Sequence, residues 1–481
     1  MSDVDCQFDV KYKDQISCML SPDNSNDVKN YYENLIRKRQ YCGIEVKDKR
    51  FMGKGTFTTE VFGKDDLILK DRMFVASQHH FNKMDCLVCS HCFRYIGSIE
   101  LQIGRKLFFD HLKSSSKTDD DENTSNVSKQ SHSPKNCEIT HTNSEKMKLN
   151  NDSTYQKSLE ALMNGTLILP YSKKFRLPPV ISCPGGCEEE HYCSEKCAIN
   201  DWKIYHSLLC TGLKSTPLKK EALIKFIEHA NSTNDVFILA AKVISYTILE
   251  YKKRRDNYLK NCPQKRKQKF IFPLLLEAWK PVSMAFKERW WDFVSLPDDV
   301  DKNDELSFRN ELKNLANHSL NLLREAIFEE EFGQLFSLEI YGNIIGMFEL
   351  NNLDLVVASP VEDYFLYIDG LNPLEKAKTE KITRPFLDAL GDDYADYIHV
   401  SGSAFFPLHS CMNHSCCPNA KAFKRDQDRD GQAVILATQY IPKGAEVTIS
   451  YIDESLPYKD RCLQLADYGF KCKCLRCLSE E

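Results

Sequence analysis

An α+β protein, with a β-rich core interrupted by a cysteine-rich module and then by a block of helices, is the fold class this chain predicts. Three observations predict it. Short apolar runs broken by glycine and charged turns occur from Cys42 to about Val75, and again at Val434-Ile435-Leu436 and Val447-Thr448-Ile449; this is the pattern of strands. Between them, from about Lys219 to Phe336, apolar residues recur at helical spacing (Leu223, Ile224, Ile227; Val236, Leu239, Ala240, Val243, Ile244, Ile248), which argues for amphipathic helices. The third is cysteine clustering. Of the twenty cysteines among 481 residues, fifteen lie in the windows 86–92, 183–210 and 411–477.

Composition narrows the class further. The length allows two to four domains, or one elaborated domain with an ample core. A net charge of -5 gives no global pull toward nucleic acid or an anionic membrane, so any basic recognition must be local. No apolar run is long enough to span a bilayer, and Met1-Ser-Asp-Val-Asp lacks the basic-then-apolar pattern of a secretion signal. A soluble intracellular protein is expected. In a reducing compartment clustered cysteines point to metal ligands rather than disulfides.

In chain order, residues 1–41 are polar and weakly periodic, and read as a partly ordered extension. Residues 42–85 carry the first strands, with Gly53-Lys54-Gly55 between apolar stretches and Leu67-Ile68-Leu69 after a Lys-Asp-Asp turn. Residues 86–210 form the cysteine-rich module. It is split at about 113–159 by a stretch rich in Ser, Asn, Asp and Lys, which cannot offset its ordering entropy by burial and is expected to be disordered. Residues 211–340 are the helical block. Residues 341–455 open with short apolar runs over Tyr341–Phe365, compatible with strands, and continue into the second β segment. Residues 456–481 are a tail. No internal repeat is visible.

The soft ligands fall into pairs. Cys89-x2-Cys92, Cys183-x3-Cys187, Cys193-x3-Cys197 and His206-x3-Cys210 suffice for two tetrahedral zinc sites, because ligands two or three residues apart converge on one metal at a turn or helix start. Cys86-x2-Cys89 is a rival for the first pair. His91 and His191 lie at the wrong spacing and read as bystanders. Near the C-terminus Cys472-x-Cys474-x2-Cys477 has zinc-ligand spacing but lacks a fourth donor, which Cys416 could supply. A zinc there would pin the tail against Asn413-His414 and wall off a pocket.

Two resemblances follow from these residues. Tyr192-Cys193-Ser194-x2-Cys197, with Trp202 and His206-x3-Cys210 after it, resembles a MYND zinc finger, whose pairs interleave; this implies Cys89, Cys92, Cys193 and Cys197 on one metal and Cys183, Cys187, His206 and Cys210 on the other. Pro184-Gly185-Gly186 makes the second pair one residue wider than usual, and a long insertion separates the first pair from the rest. Asn413-His414-Ser415-Cys416-Cys417-Pro418-Asn419, then Glu446-Val447-Thr448-Ile449-Ser450-Tyr451, then the cysteine tail resemble the SET-domain lysine methyltransferases. The order of blocks is similar to that of the SET-and-MYND (SMYD-type) group. Tyr341-Gly-Asn-Ile-Ile-Gly-Met-Phe348, Asn413 to Arg425 with Asp428-Arg-Asp-Gly-Gln432, and Ile449-Ser-Tyr-Ile-Asp453 look like the plant trithorax-related members. The likeness covers about residues 42–481.

That resemblance implies a β-rich SET core with an inserted MYND finger, a helical insert and a zinc-bound post-SET tail. It implies methyl transfer from S-adenosylmethionine to a protein lysine, on the histone H3 tail or another lysine-containing protein, and three zinc ions. Gly53, Lys54 and Gly55 would approach the cofactor's methionyl part through their backbone. Asn413 and His414 would hold its amino group and adenine edge, and Phe470 would stack on adenine. Tyr451 would place its hydroxyl by the transferred methyl, and Tyr468 would line the lysine channel. A proline-rich peptide or transcription factor could dock on the finger. The competing class is a MYND chromatin adaptor with an inactive SET core. Lys252-Lys-Arg-Arg255 and Lys265-Arg-Lys267 with Lys269 read either as a bipartite nuclear localisation signal or as a solvated helical face, with weak nucleic-acid contact at most. A nuclear location is expected, with the cytoplasm left open, and no membrane association.

Overall fold

Strand β1 (Ile44–Asp48) turns back into β2 (Lys54–Thr58), Ile44 facing Thr58 and Asp48 facing Lys54. In the computed structural model, which describes residues 6–49, 53–116, 153–261, 271–297, 300–391 and 398–481, this hairpin begins a set of small sheets. The remaining strands are β3 (Leu67–Asp71), β4 (Val75–Gln78), β5 (Ile181–Ser182), β6 (His191–Tyr192), β7 (Asn352–Asp354), β8 (Gly402–Phe405), β9 (Asn413–His414), β10 (Ala420–Ala422), β11 (Ala433–Ala437) and β12 (Glu446–Ile449). They order as β1-β2-β12-β9, β10-β11-β3, β4-β8-β7 and β5-β6. Three sheets therefore join strands from the two ends of the chain. The helices lie between, and the α+β class expected from the sequence is the class observed.

Period-two patterning explains the main sheet. Val447 and Ile449 of β12 are buried with Ile44, Val46, Ile435 and Ile441, while Glu446 and Thr448 lie on the other face. The β12–β9 pairing is parallel, with Thr448 beside Asn413 and Ile449 beside His414. That register brings the Asn-His pair alongside the strand that leads into Tyr451.

The helical block holds the largest apolar core, which includes Phe237, Ile244, Trp279, Leu320, Tyr341 and Phe348. It extends past the boundary read at residue 340. Tyr341–Phe365, expected as β-compatible runs, contains most of a helix, Leu338–Asn351, then β7 and part of a second helix, Pro360–Asp369. Ser337 caps the first, accepting from Ile340 N at 3.0 Å. Ten of the eleven positions from Leu338 to Phe348, all but Glu339, are buried, so no polar face marks the helical period, and such a run cannot be told from a buried strand. Gly346 packs so closely that a Cβ there would lie 2.0 Å from Glu288 O.

The N-terminus is also more ordered than its polarity suggests. Helices Gln7–Lys11, Lys13–Leu20 and Ser25–Arg39 span most of the expected extension. Ile16 and Met19 enter the helical core, Val28 and Tyr32 the sheet core, and Trp279 Nε1 donates to Met19 O at 2.9 Å. The expected disordered stretch at 113–159 lies largely outside the described residues. Its last part does not: helix Ser153–Met163 begins there and buries Leu159 and Leu162 with Ile99 and Ile103 of helix Ile99–Ser116. Burial of two leucines outweighs the polar composition around them. Lys252–Arg255 lie on helix Val236–Asn261, with Lys252 on Glu329 at 2.6 Å and Arg254 on Glu250 at 2.8 Å; Lys265–Lys269 fall outside the described residues. Among the described residues no helix is long and apolar enough to cross a membrane.

One buried carboxylate links these parts. Asp71, fully buried at the end of β3, accepts from Leu408 N at 2.7 Å and His409 N at 3.0 Å. It also pairs with Arg39 at the end of helix Ser25–Arg39. The turn it holds leads directly into Asn413. Asp71→Ala would leave two backbone N–H groups without their acceptor and Arg39 without its counter-charge, with only Arg72 O remaining, and is expected to cost about 3–5 kcal/mol in chemical denaturation. A loss below about 1 kcal/mol, the level of an exposed pair, would show that the turn is held by other means.

Candidate active site and its metal clusters

Asn413 sits at a junction of three strands. Its Nδ2 donates to Lys54 O of β2 at 3.0 Å and to Glu446 Oε1 of β12 at 2.8 Å. The other oxygen of Glu446 takes Lys49 Nζ at 2.5 Å. This closeness depends on Gly55: a Cβ there would stand 2.7 Å from Glu446 Oε1 and 3.3 Å from Asn413 Nδ2, so only glycine lets β2 run this near. Asn419, at the end of the same motif, closes the loop back on β12. It accepts from Thr448 N at 2.9 Å and donates to Glu446 O at 2.8 Å. Gly53 has a positive φ of 70° at the turn entering β2.

His414 is committed at both ring nitrogens. Tyr451 N donates to Nδ1 at 3.0 Å, which makes Nε2 the protonated nitrogen, and Nε2 lies 3.2 Å from Cys416 Sγ. Burial, and then the charge of Arg461, push its pKa down to about 4. The ring is a neutral brace between Tyr451 and the cysteine cluster, and only its main chain remains for recognition. Tyr451 donates its hydroxyl to Met412 O at 2.6 Å. Burial, followed by the nearby Cys411, pushes the phenol well above its ordinary range, so it stays protonated at any physiological pH.

Three aromatic rings surround this point. Tyr468 stands 5.2 Å from Tyr451 between centroids, and Phe470 stands 6.0 Å from His414 and 6.3 Å from Tyr451. Phe470 is 39% exposed. Beside them is a cavity of about 410 Å³ lined by Asp354, His409, Met412, Ile449, Tyr451 and Tyr468 among others.

The cysteines gather into three clusters: Cys89, Cys92, Cys193 and Cys197; Cys183, Cys187, His206 and Cys210; Cys416, Cys472, Cys474 and Cys477. Within each, the donor atoms lie within 4.8 Å of one another. Sulfur separations are 3.6 Å (Cys92–Cys193), 3.5 Å (Cys193–Cys197), 3.8 Å (Cys183–Cys210) and 3.5 Å (Cys416–Cys477). A disulfide requires about 2.05 Å. A tetrahedron with metal–sulfur bonds of about 2.3 Å has edges of about 3.7–3.8 Å. Each cluster therefore has the donor set and the dimensions to hold one zinc. Cys86, the rival ligand, is buried 3.4 Å from His399 O and from Asn82 Oδ1, outside the first cluster. His91 faces Asp201 at 3.9 Å and is not among the clustered donors, nor is His191.

Sequence reasoning missed two residues. Arg461 is fully buried, with Nη1 on Leu456 O at 2.7 Å and Nη2 on Glu480 Oε2 at 2.6 Å and on Cys477 Sγ at 3.7 Å. Four thiolates around a dication leave two negative charges, and a guanidinium here offsets part of them. Glu446 is the second. Both act across long sequence separations, where spacing carries no signal; an arginine in an otherwise amphipathic helix, Tyr458–Ala466, offers no local hint.

A SET-domain family profile matches residues 53–452, interrupted segments included. The chain belongs to the SET-domain family. It is 55% identical over 475 residues, 98% of each chain, to the histone-lysine N-methyltransferase ATXR2 of Arabidopsis thaliana. It is 23% identical over 301 residues to the protein-lysine N-trimethyltransferase SMYD5 of Mus musculus, covering 60% of this chain and 64% of the relative. The N-lysine methyltransferase SMYD2 of Homo sapiens is 42% identical over 81 residues, 17% and 18% of the two chains. SET methyltransferases take their methyl group from S-adenosylmethionine, and the glycine-lined approach of β2 to Asn413, with the half-open ring of Phe470, fits such a ligand.

Elemental analysis of the purified protein is expected to give about three zinc ions per chain, one per four-donor cluster. A reproducible value near two would mean that one cluster does not hold metal.

Proposed function

We propose that the chain transfers the methyl group of S-adenosylmethionine to a lysine of histone H3 in the nucleus. The carrying observation is the gathering of His414, Tyr468 and Phe470 around Tyr451, which with Tyr468 lines the cavity, in a chain 55% identical to a histone-lysine methyltransferase over nearly its full length. The cofactor supplies a methyl on a positively charged sulfur, which the neutral amine of lysine takes up in line while the carbon–sulfur electron pair returns to sulfur. The lysine must first give its proton to solvent. The protein's share is orientation and exclusion of water.

In this reading Gly53, Lys54 and Gly55 present backbone to the methionyl part, the main chain of Asn413 and His414 takes the amino group and adenine edge, and Phe470 covers adenine. Tyr468 lines the lysine channel. Tyr451 is the catalytic residue. Its raised pKa rules it out as the base; what it offers is a fixed phenol oxygen, held by Met412 O, toward the methyl and the amine. The zinc finger, with exposed Leu213 and Ile199 beside its ligands, is read as the docking face for a proline-rich peptide or transcription factor. Because Lys252 and Arg254 are already paired with acids, any nucleic-acid contact from that helix is weak.

Tyr451→Phe keeps the ring and loses one oriented oxygen. Methyl transfer to histone H3 at saturating cofactor is expected to fall roughly a hundred- to a thousandfold, the effect of losing one preorganised polar group, about 2.7–4 kcal/mol, with cofactor binding retained. An equally active variant would remove Tyr451 from the mechanism. A wild type that binds peptides yet methylates nothing would place the protein among adaptors instead.

A further inference from the structure

Two chain segments that wall the cavity beside Tyr451, residues 350–354 around β7 and 418–422 around β10, run on to wall a second groove. Its volume is about 710 Å³, and those segments enter it through Ala358, Pro360 and Asp363 and through residues 427–430. Four residues separate Asp354 from Ala358 and five separate Ala422 from Gln427, so at most about 18 Å of chain lies between the two openings. The rest of the wall comes from Arg94 of the zinc finger and from residues 174–178. Main-chain hydrogen bonds fix this frame: Gly431 N donates to Cys92 O at 2.8 Å, Cys89 N to Arg94 O at 2.8 Å and Gly97 N to Pro178 O at 2.7 Å. The groove lies where the finger meets the SET core.

Its charge differs from that of the whole chain. Lys70, Arg94, Lys174, Arg176 and Arg429 line it against three carboxylates, Asp363, Asp428 and Asp430, whereas the chain carries a net charge of -5. The carboxylates are already engaged. Asp363 takes Arg429 at 2.6 Å, Asp428 takes Lys70 and, at 2.9 Å, Arg425, and Asp430 accepts from the Gln432 side chain at 3.0 Å. Arg94, Lys174 and Arg176 are exposed, and among the described residues none of them has a carboxylate partner. Lys174 rests over the Tyr367 ring, 4.3 Å from its centroid, and Lys173 beside it is exposed as well. The local excess is therefore positive and open to an anionic partner. A duplex presents one phosphate charge per about 1.7 Å of its axis. Arginine and lysine on loops reach that backbone and fix position without reading sequence.

We propose that this groove docks the phosphate backbone of duplex DNA, so that the DNA wrapped around a histone is held while the histone tail enters the neighbouring cavity. The histone half of this statement rests on the methyltransferase reading above; the DNA half does not. The helix bearing Lys252–Arg255 takes no part.

The test is binding of a short duplex of arbitrary sequence to the full chain, followed by fluorescence anisotropy from about 50 to about 200 mM salt. Wild type is compared with the double variant Arg94→Gln/Arg176→Gln and with Lys253→Gln/Arg254→Gln as control. Wild-type log affinity is expected to fall linearly with log salt. In the first variant the slope should be shallower by about two units, one per lost phosphate contact, and binding at the lower salt roughly tenfold weaker or more. Its zinc content and melting temperature should match wild type, and the control should bind as wild type does. In a second arm, the KM of the first variant should rise for nucleosomes and stay unchanged for free histone H3. A wild type that does not bind DNA at the lower salt, a first variant that binds like wild type, or a control weakened as much would overturn the proposal. So would an equal rise in KM for free histone, or binding of poly-glutamate in place of DNA, which would assign the groove to an acidic polypeptide. A wild type inert on histone H3 would fail the methyltransferase reading alone, since the binding arm needs no catalysis.

Discussion

The four-sulfur cluster of Cys416, Cys472, Cys474 and Cys477 is the constraint on which the catalytic end of the molecule depends. Beyond the cluster, the tail is held by the buried Arg461, by Arg476 on Glu454 O and by Tyr468 against Tyr451. Its last helix, Leu475–Glu480, is six residues long, far too short to persist alone. Leu475 and Leu478 face solvent, at 86% and 56% exposure, so little apolar burial fastens it. What the tail does bury is Cys472 and Cys477, with Leu465 and Arg461 behind them. A metal binding free energy is in such cases a folding free energy. Tyr468 and Phe470 stand at the site because Cys472, two residues further on, is tied to Cys416, and Cys416 is two residues from His414.

From that cluster the order propagates inward by polar contacts. His414 touches Cys416 with one nitrogen and takes the Tyr451 N–H with the other. Asn413, Glu446 and Asn419 stitch the loop to β2 and β12. Asp71 holds the preceding turn against the N-terminal helices. Burial disfavours both imidazolium and phenolate, which keeps His414 and Tyr451 neutral. In the proposed reaction this suits the site to orienting an amine and a methyl group.

Local features were legible in the sequence; long-range ones were not. Eleven of the twelve clustered donors were readable because ligands within a turn must be close in sequence, and Cys416 because the tail's three left one position to fill. The choice between Cys86 and Cys92 needed the structure, since both lie three residues from Cys89 and only burial against Asn82 and His399 takes Cys86 away. Several strands of the core were visible as short apolar runs bounded by glycine and charged turns. The helix Leu338–Asn351 was not, because it is buried on all sides and shows no polar face. The N-terminal helices were underestimated for the opposite reason: they bury only Ile16, Met19, Val28 and Tyr32 among polar neighbours. Arg461 and Glu446 had no local signature, since each acts on a partner that the fold, not the sequence, brings near.

The most direct measurement of the central claim is S-adenosylmethionine affinity by calorimetry on Cys474→Ser, with zinc content determined on the same sample. The account expects zinc to fall from about three ions to about two and cofactor affinity to weaken roughly tenfold or more, with the two finger clusters retaining their metal. A variant that loses the tail zinc yet binds the cofactor as tightly as wild type would contradict it, and would show that the pocket stands without the tail.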